Sequence, residues 1–391
     1  MLGIVAGADS MYGTVAGSAS MCSCLGEGIC TWAMTVARVR ALAPALGPVA
    51  AMVAAKQLGS NGGGWYGPNS AMPLENPTPL SNLLEMLGIL LIPIAVIFMI
   101  TPLTGRRRLT AMVFAAMLLM SILSTTASVW SEAHSSPSTD LALMEGKEVR
   151  FGAQASAAWS SITTQVNNGS VNAMHDSLAP LTGMVALTDM LINAIWGGIG
   201  CGLQQFLVYL LLSVFLAGLM TGRTPELFGR KIEAQEVKLL ALLILLQPLV
   251  VLGFTALTLA IPSITGGTSL GISNPGFHGI SQVFYEYTSA FANNGSGFEG
   301  LGDATYWCNL SCSAVLALGR YPALIVPLAV AALMARKLIG CRQLYSTNFL
   351  RPGALSWSMP SLILRSVELK FLRLSLKPVT DHSWCGCKLT L

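Results

Sequence analysis

Asn167-Asn168-Gly169-Ser170 lies between two apolar segments, and the same design recurs at Ser60-Asn61-Gly62-Gly63-Gly64 and at Asn293-Asn294-Gly295-Ser296-Gly297. In a membrane chain, backbone that leaves the helix is tolerated only where protein buries it or a water-filled cavity meets it, so three matched loops imply an ion pathway. A single Asn-Gly is ordinarily a plain turn. Three of them, each followed by a span, make the loop itself the repeated feature.

The surrounding sequence is that of a membrane protein. Of 391 residues, 53% are hydrophobic and only 10% charged, and the mean hydropathy is +0.63. These values fall outside the globular range. Crossing a bilayer takes about 20 apolar residues, and the stretches 83–103, 109–130, 199–220, 237–262 and 307–334 qualify. The net charge of +4 does not indicate nucleic-acid binding, because the basic residues sit at the ends of spans: Arg106-Arg107-Arg108, Arg223 through Arg230-Lys231 to Lys238, and Arg336-Lys337 with Arg342. The positive-inside bias assigns all three clusters to the cytoplasm. The chain then runs out through 109–130 and back through 199–220, leaving 131–179 outside, and out again through 262 and back through 307–334. Arg106, Arg230 and Arg336 are expected inside, and Ser138 and Thr268 outside.

Each Asn-Gly loop falls on the outer side. The segments before them, 45–58, 151–166 and 279–292, are too short or too polar to span. A short helix, a glycine loop and a full span make a re-entrant pore hairpin, and the fold class is an all-α integral membrane protein of pseudo-repeated helix, pore loop, helix units. The repeat extends further, since Asn69-Ser70-Ala71-Met72 with Pro79-Leu80 echoes Asn172-Ala173-Met174 with Pro180-Leu181. Glycine reaches backbone angles closed to other residues, so successive carbonyls can turn toward an axis and replace the water shell of a cation. The loops contain no carboxylate, which suits a monovalent ion better than a divalent one.

Gly59-Ser60-Asn61-Gly62-Gly63-Gly64 with Asn69-Ser70 and Glu75-Asn76-Pro77, the run from Asn168 through Met174 to Ser177, Gly222-Arg223-Thr224-Pro225-Glu226, Asn274-Pro275-Gly276 with His278-Gly279, and Asn294-Gly295-Ser296 together resemble the KdpA family. These are the potassium-binding subunits of bacterial potassium-importing P-type ATPases. The likeness covers roughly 45–337. It implies a fold like that of potassium channels and transporters, with four pore units whose four filter loops capture potassium from outside while a partner subunit hydrolyses ATP. By position, the second filter loop is Ser60, Asn61, Gly62 and Gly63; the third is Asn168, Gly169 and Ser170; the fourth is Asn294, Gly295 and Ser296. Ser60 stands where the family usually has threonine; the hydroxyl is retained and a small effect is expected. The family's span after the third loop is broken near the pore, which makes Gly197, Gly198, Gly200 and Gly202 the candidate gate. The same glycines also suit close helix packing.

The resulting division is 1–40, a divergent segment; 41–105, a partial second pore unit; 106–222, the third; 223–337, the fourth; and 338–391, a polar and basic tail. The first filter loop should precede residue 41 and an apolar span should follow 337, and neither is present there. Truncation or a shifted reading frame at both ends accounts for this; a divergent basic tail is the alternative. With one quarter of the filter missing, these 391 residues are not expected to support growth at low potassium.

Other candidates are weaker. The Cys-x-Cys pairs Cys22/Cys24 and Cys385/Cys387 lack partnering ligands for zinc, and Cys308 and Cys312 sit one turn apart as packing residues. His175-Asp176 reads as a hydrogen-bonded pair at the outer mouth or as a helix cap. Asp189, inside an apolar run, is a functional or an interfacial residue. The chain has no Walker loop and no Asp-Lys-Thr-Gly string, so no ATP-hydrolysing site is expected in it and no cofactor beyond the transported ion. The resemblance implies a multi-pass protein of the bacterial inner membrane, with the ATP-hydrolysing subunit and small accessory subunits as partners. The alternatives are a non-conducting remnant and a stand-alone potassium channel or symporter.

Overall fold

Apolar length and capping chemistry together set the helix boundaries. The protein is described by a computed structural model over residues 46–135, 144–261, 271–272 and 276–337. Ser138 and Thr268, Asn274-Pro275 and both chain ends lie outside these residues. In chain order the helices are α1 (Leu46–Leu58), α2 (Pro79–Phe98) with its short continuation α3 (Ile100–Thr104), α4 (Arg107–His134), α5 (Ala153–Val166), α6 (Pro180–Ile192), α7 (Cys201–Thr221), α8 (Ala234–Ala260), α9 (Phe277–Ala292) and α10 (Tyr306–Ala335). Among the described residues, five stretches are long and apolar enough to cross a membrane: Pro79–Thr104, α4, α7, α8 and α10. Each contains most of one span expected from sequence. The chain is a multi-pass, all-α membrane protein. Among the described residues two short antiparallel strand pairs supplement the helices: the hairpin β1 (Glu226–Leu227) with β2 (Arg230–Lys231), and β3 (Gly271–Ile272) with β4 (Leu301–Gly302), which brackets α9.

The caps extend the spans past their apolar cores. Thr78 and Ser81 form a capping box at the start of α2 with Pro79 at its first position, and Glu233 and Glu236 form another on α8. Thr305 accepts from the Cys308 amide at the start of α10. Such caps satisfy amide donors that lack an intrahelical partner. By contrast α1, at 13 residues, reaches only about 20 Å against a hydrocarbon core of about 30 Å. It ends inside the protein, as do α5 and α9.

The span helices are polar inward and apolar outward. On α2, Leu80, Leu83, Leu87 and Leu91 are exposed, whereas Asn82, Glu85, Ile89 and Pro93 are buried. That is the distribution expected when lipid surrounds the helix and a polar interior lies behind it. Helix α4 packs on α5 and α6, and α8, α9 and α10 pack on one another. At Gly319 the approach of α10 to α9 is so close that a Cβ would lie 2.2 Å from the Phe291 carbonyl.

The three basic clusters meet on one face. The Arg106 guanidinium lies 5.0 Å from the centre of the Phe228 ring in the β1–β2 turn. Arg230 donates to the Met334 carbonyl, and Lys337 Nζ reaches Glu236 at 2.8 Å and Glu233 at 3.3 Å. One feature departs from the sequence reading. With the loops of this chain and their units counted in chain order from Ser60, the return limb after the second loop (the family's third) is not the single span 199–220: it comprises α6, an unwound stretch at 193–200, and α7. Asn193 in the left-handed region ends α6, and three left-handed glycines follow before α7 begins.

Candidate functional site

The three Asn-Gly loops share one backbone design. Helices α1, α5 and α9 end in residues with positive φ, Ser60 at 51°, Asn167 at 58° and Asn293 at 57°, and two residues later come Gly62 at 66°, Gly169 at 85° and Gly295 at 94°. Ser60, Asn167 and Asn293 therefore occupy one register, as do Asn61, Asn168 and Asn294. The amides of these last three bond back to the Lys56, Thr163 and Ser289 carbonyls at 3.2, 2.9 and 3.0 Å. In the second and third loops the Thr163 and Ser289 hydroxyls accept from the Gly169 and Gly295 amides, both at 3.0 Å. The Asn168 and Asn294 side chains accept from the Ser170 and Ser296 amides.

Neighbouring loops are tied side to side. Asn168 donates its amide to the Lys56 carbonyl of the first pore helix at 2.9 Å, and Asn294 donates to the Thr163 carbonyl of the second at 3.1 Å. A Cβ on Gly62 would lie 2.1 Å from the Asn168 carbonyl oxygen, and one on Gly169 would lie 1.9 Å from that of Asn294. Only glycine permits this approach. The loops form an arc in which each stacks on the next by the same contact. At the two edges of the arc the pattern stops: Asn61 is exposed where Asn168 and Asn294 are buried, and Gly295 has nothing within 4 Å of its Cβ direction among the described residues. The Ser60 hydroxyl and the Asn167 and Asn293 side-chain carbonyls, all in one register, are buried with no hydrogen-bond partner among the described residues.

Buried charges that sequence reading did not single out support the arc. Lys56 Nζ lies 2.6 Å from Glu75 and 2.7 Å from the Ser70 hydroxyl. Glu85 accepts from Ser70 at 2.6 Å and from Gln57 at 2.7 Å. Gln57 in turn accepts from the Ser170 hydroxyl of the second loop at 2.9 Å. A second pair, Lys147 and Glu132 at 2.9 Å, is also buried, and Glu132 further accepts from the Ala179 amide. The visible signal was the presence of Lys56, Glu75, Glu85 and Glu132 in or beside apolar segments, where an ionisable residue needs a partner.

The candidate gate glycines sit directly against the second loop's helix. The Trp196 and Gly197 amides donate to the Gln165 carbonyl at 3.2 and 2.8 Å, and a Cβ on Gly198 would lie 3.2 Å from the Val166 carbonyl. Gly197 and Gly202 face each other so closely that a Cβ on Gly197 would lie 2.4 Å from the Gly202 Cα. The stretch is unwound, and its tightest contacts are internal to it and the first turn of α7. The Asn167 amide group reaches Asn193, at the start of the break, at 2.6 Å.

His175 and Asp176 do not pair with each other. Each instead bridges to the last unit: His175 Nδ1 lies 2.9 Å from the Tyr285 hydroxyl, while Asp176 bonds His278 at 2.6 Å and Gln282 at 2.8 Å. The two side chains reach successive turns of one face of α9, at 278, 282 and 285, which adjacency in sequence does not reveal. Burial pushes the His175 imidazole down to about 4 from 6.5. Its contribution to stability is therefore present above pH 6.5 and lost as pH falls toward 4. The His175 effect is isolated as the difference between the wild-type protein and His175→Gln. That difference in unfolding free energy should shrink through the acid window by on the order of 3 kcal/mol; a pH-independent difference would contradict the assignment.

Asp189 faces the protein interior. It is buried and accepts from Ser124 at 2.6 and 2.7 Å, with Thr164 and Ser161 at 3.4 and 3.5 Å. Cys312 lies 3.6 Å from Glu286 and Cys308 is buried. The Cys-x-Cys pairs lie outside the described residues.

Comparison with known proteins adds to this geometry. The model of the family KdpA, potassium-transporting ATPase A subunit, matches residues 30–351, past both limits expected from sequence. The potassium-transporting ATPase potassium-binding subunit of Gloeobacter violaceus is 48% identical over 297 residues, covering 74% of this chain and 51% of that protein. The subunits of the same name from Bacteroides thetaiotaomicron and Parabacteroides distasonis are 46% and 45% identical over 302 residues, each covering 74% of this chain and 53% of the relative. The chain spans about half the length of the curated relatives it matches.

Proposed function

The chain belongs to the KdpA family, and on that premise we propose that it binds potassium on the arc of its three loops as part of an ATP-driven potassium importer. The observation that carries this reading is the shared register of the loops. At one level each offers a buried side-chain oxygen, of Ser60, Asn167 and Asn293, with no hydrogen-bond partner among the described residues, and glycine contacts hold their backbones edge to edge. Neutral carbonyl and hydroxyl oxygens at such a site replace the hydration shell of a weakly hydrated cation. Potassium is the cargo. The residues that bind it in this reading are Ser60, Asn61, Gly62, Gly63, Asn168, Gly169, Ser170, Asn294, Gly295 and Ser296, the loop residues expected from sequence, joined by Asn167 and Asn293, whose side-chain oxygens share the register of Ser60.

The arc is open between Asn61 and Gly295, and the four-loop arrangement implied by the family would seat its remaining loop there. The basic face formed by Arg106, Arg230 and Lys337 is cytoplasmic by the positive-inside rule, in the bacterial inner membrane. Gly197, Gly198, Gly200 and Gly202, in or beside the unwound stretch under the second loop, form the gate. ATP is hydrolysed by a partner subunit, and small accessory subunits complete the complex.

The test is ion-dependent thermal protection of the purified chain in lipid nanodiscs. Potassium and rubidium should raise the unfolding midpoint at lower concentration than sodium. Gly63→Asp places a carboxylate at a position with φ of 75° and open space around it, so the fold should tolerate it while the preference among these ions changes. Equal protection by all three ions in the wild-type protein would overturn the reading.

A further inference from the structure

The pore helices α5 and α9 carry a large aromatic residue at the same distance from their loops. Trp159 lies eight residues before Asn167, and Tyr285 eight before Asn293. Both are fully buried. Each reaches the residue that follows its own loop's glycine: Trp159 Nε1 donates to the Ser170 carbonyl at 2.8 Å, and the Tyr285 hydroxyl lies 2.9 Å from that of Ser296. The same position of α1 is Met52, which is 39% exposed, and the residue following that loop's glycine is Gly63, which has no side chain. Among the described residues, two loops are held by an aromatic side chain of their own pore helix and one is not.

The hydrogen bonds of the third loop have one consistent direction. Ser296 Oγ donates to Asn294 Oδ1 at 2.6 Å, which uses its only proton. The Tyr285 hydroxyl must then donate to Ser296, and the proton between Tyr285 and His175 must come from His175 Nδ1. The chain His175, Tyr285, Ser296, Asn294 thus runs from the second unit into the third loop and ends on the asparagine that also donates to the Thr163 carbonyl. In the second loop, the Trp159 bond turns the Ser170 carbonyl toward its own pore helix, while the Ser170 hydroxyl donates to Gln57 of the first unit. Ser170 and Ser296 are therefore fixed at main chain or side chain by groups outside the loops.

We propose that Trp159 and Tyr285 are positioning residues that set discrimination among monovalent cations by fixing the outer lips of the second and third loops, with Gly63 as the unbraced lip of the first. The inference rests on the ion-binding reading above. It differs from that reading in assigning selectivity to side chains that do not touch the ion.

The test compares Trp159→Phe, Tyr285→Phe and Tyr287→Phe in the purified chain in lipid nanodiscs, using the ratio of potassium to sodium concentrations that give half-maximal thermal protection. Tyr287 is a matched control: it lies on α9 too, is buried, and bonds Thr258 and Ser311 rather than a loop. The loss of one buried hydrogen bond should change the ratio roughly two- to tenfold in each brace variant. Tyr287→Phe should lower the midpoint in the absence of ions and leave the ratio unchanged. Brace variants with the wild-type ratio would overturn the inference and leave the ion site intact. A wild-type protein without ion preference would overturn the ion site and the inference together. Should Tyr285→Phe fail to fold, Trp159→Phe carries the test by itself, since it removes the brace of the other loop, and the same change in ratio is expected of it.

Discussion

Gly169→Ala should abolish the preference for potassium, with an apparent affinity at least tenfold lower and a protein less stable by about 1–3 kcal/mol. Its Cβ would sit 1.9 Å from the Asn294 carbonyl oxygen and 2.8 Å from that carbonyl carbon, in a backbone with φ of 85°. The obstacle is backbone, which has no rotamer to yield, so the second and third loops must separate. Gly62→Ala should behave alike, because its Cβ would meet the Asn168 carbonyl oxygen at 2.1 Å. Gly295→Ala meets nothing within 4 Å and carries only the cost of its positive φ. Ion titrations and thermal melts of the three variants should therefore place Gly169 and Gly62 together and Gly295 apart. A Gly295 variant as damaged as the other two would contradict the stacking of loop on loop.

Lys56→Met should be the most destabilising single change at the site, by about 3–5 kcal/mol. The ammonium is fully buried against Glu75 and Ser70, with Glu85 at 4.0 Å, and its removal leaves carboxylates buried without their cation. The loss should reach the ion site, since the same residue's carbonyl accepts from Asn61, Gly62 and the Asn168 side chain. Adding Glu75→Gln to Lys56→Met should recover part of the stability, because the remaining uncompensated charge falls. Chemical unfolding of both variants checks this. Equal stability of Lys56→Met and the wild-type protein would show that the ion pair is not required.

The spans were legible because bilayer crossing imposes a length and composition that few other structures share. The short helices were legible because they end in Asn-Gly. Loop boundaries followed from the same signal, but the register did not. Ser60 is chemically unlike Asn167 and Asn293, and the common backbone angles make it their equivalent. The interior break at 193–200 was visible as glycines, whereas α6 was not separated from the loop before it, since 13 residues fall below the length of a span. The contacts that join one unit to another were invisible. Asn168 to Lys56, Ser170 to Gln57 and His175 to Tyr285 each join residues more than 100 positions apart, and no local pattern encodes such a pairing. Asp189 was legible as a residue needing an explanation, and its ring of hydroxyls supplies one.

The central claim is that one cation is held by oxygens drawn from all three loops. Anomalous diffraction from crystals of the chain grown in thallium, a potassium mimic that scatters strongly, tests it most directly. The account predicts a peak on the concave side of the arc, within ligand distance of oxygens from residues 60–63, 168–170 and 294–296. Ordered loops with no peak between them, or a peak bound by one loop alone, would contradict it.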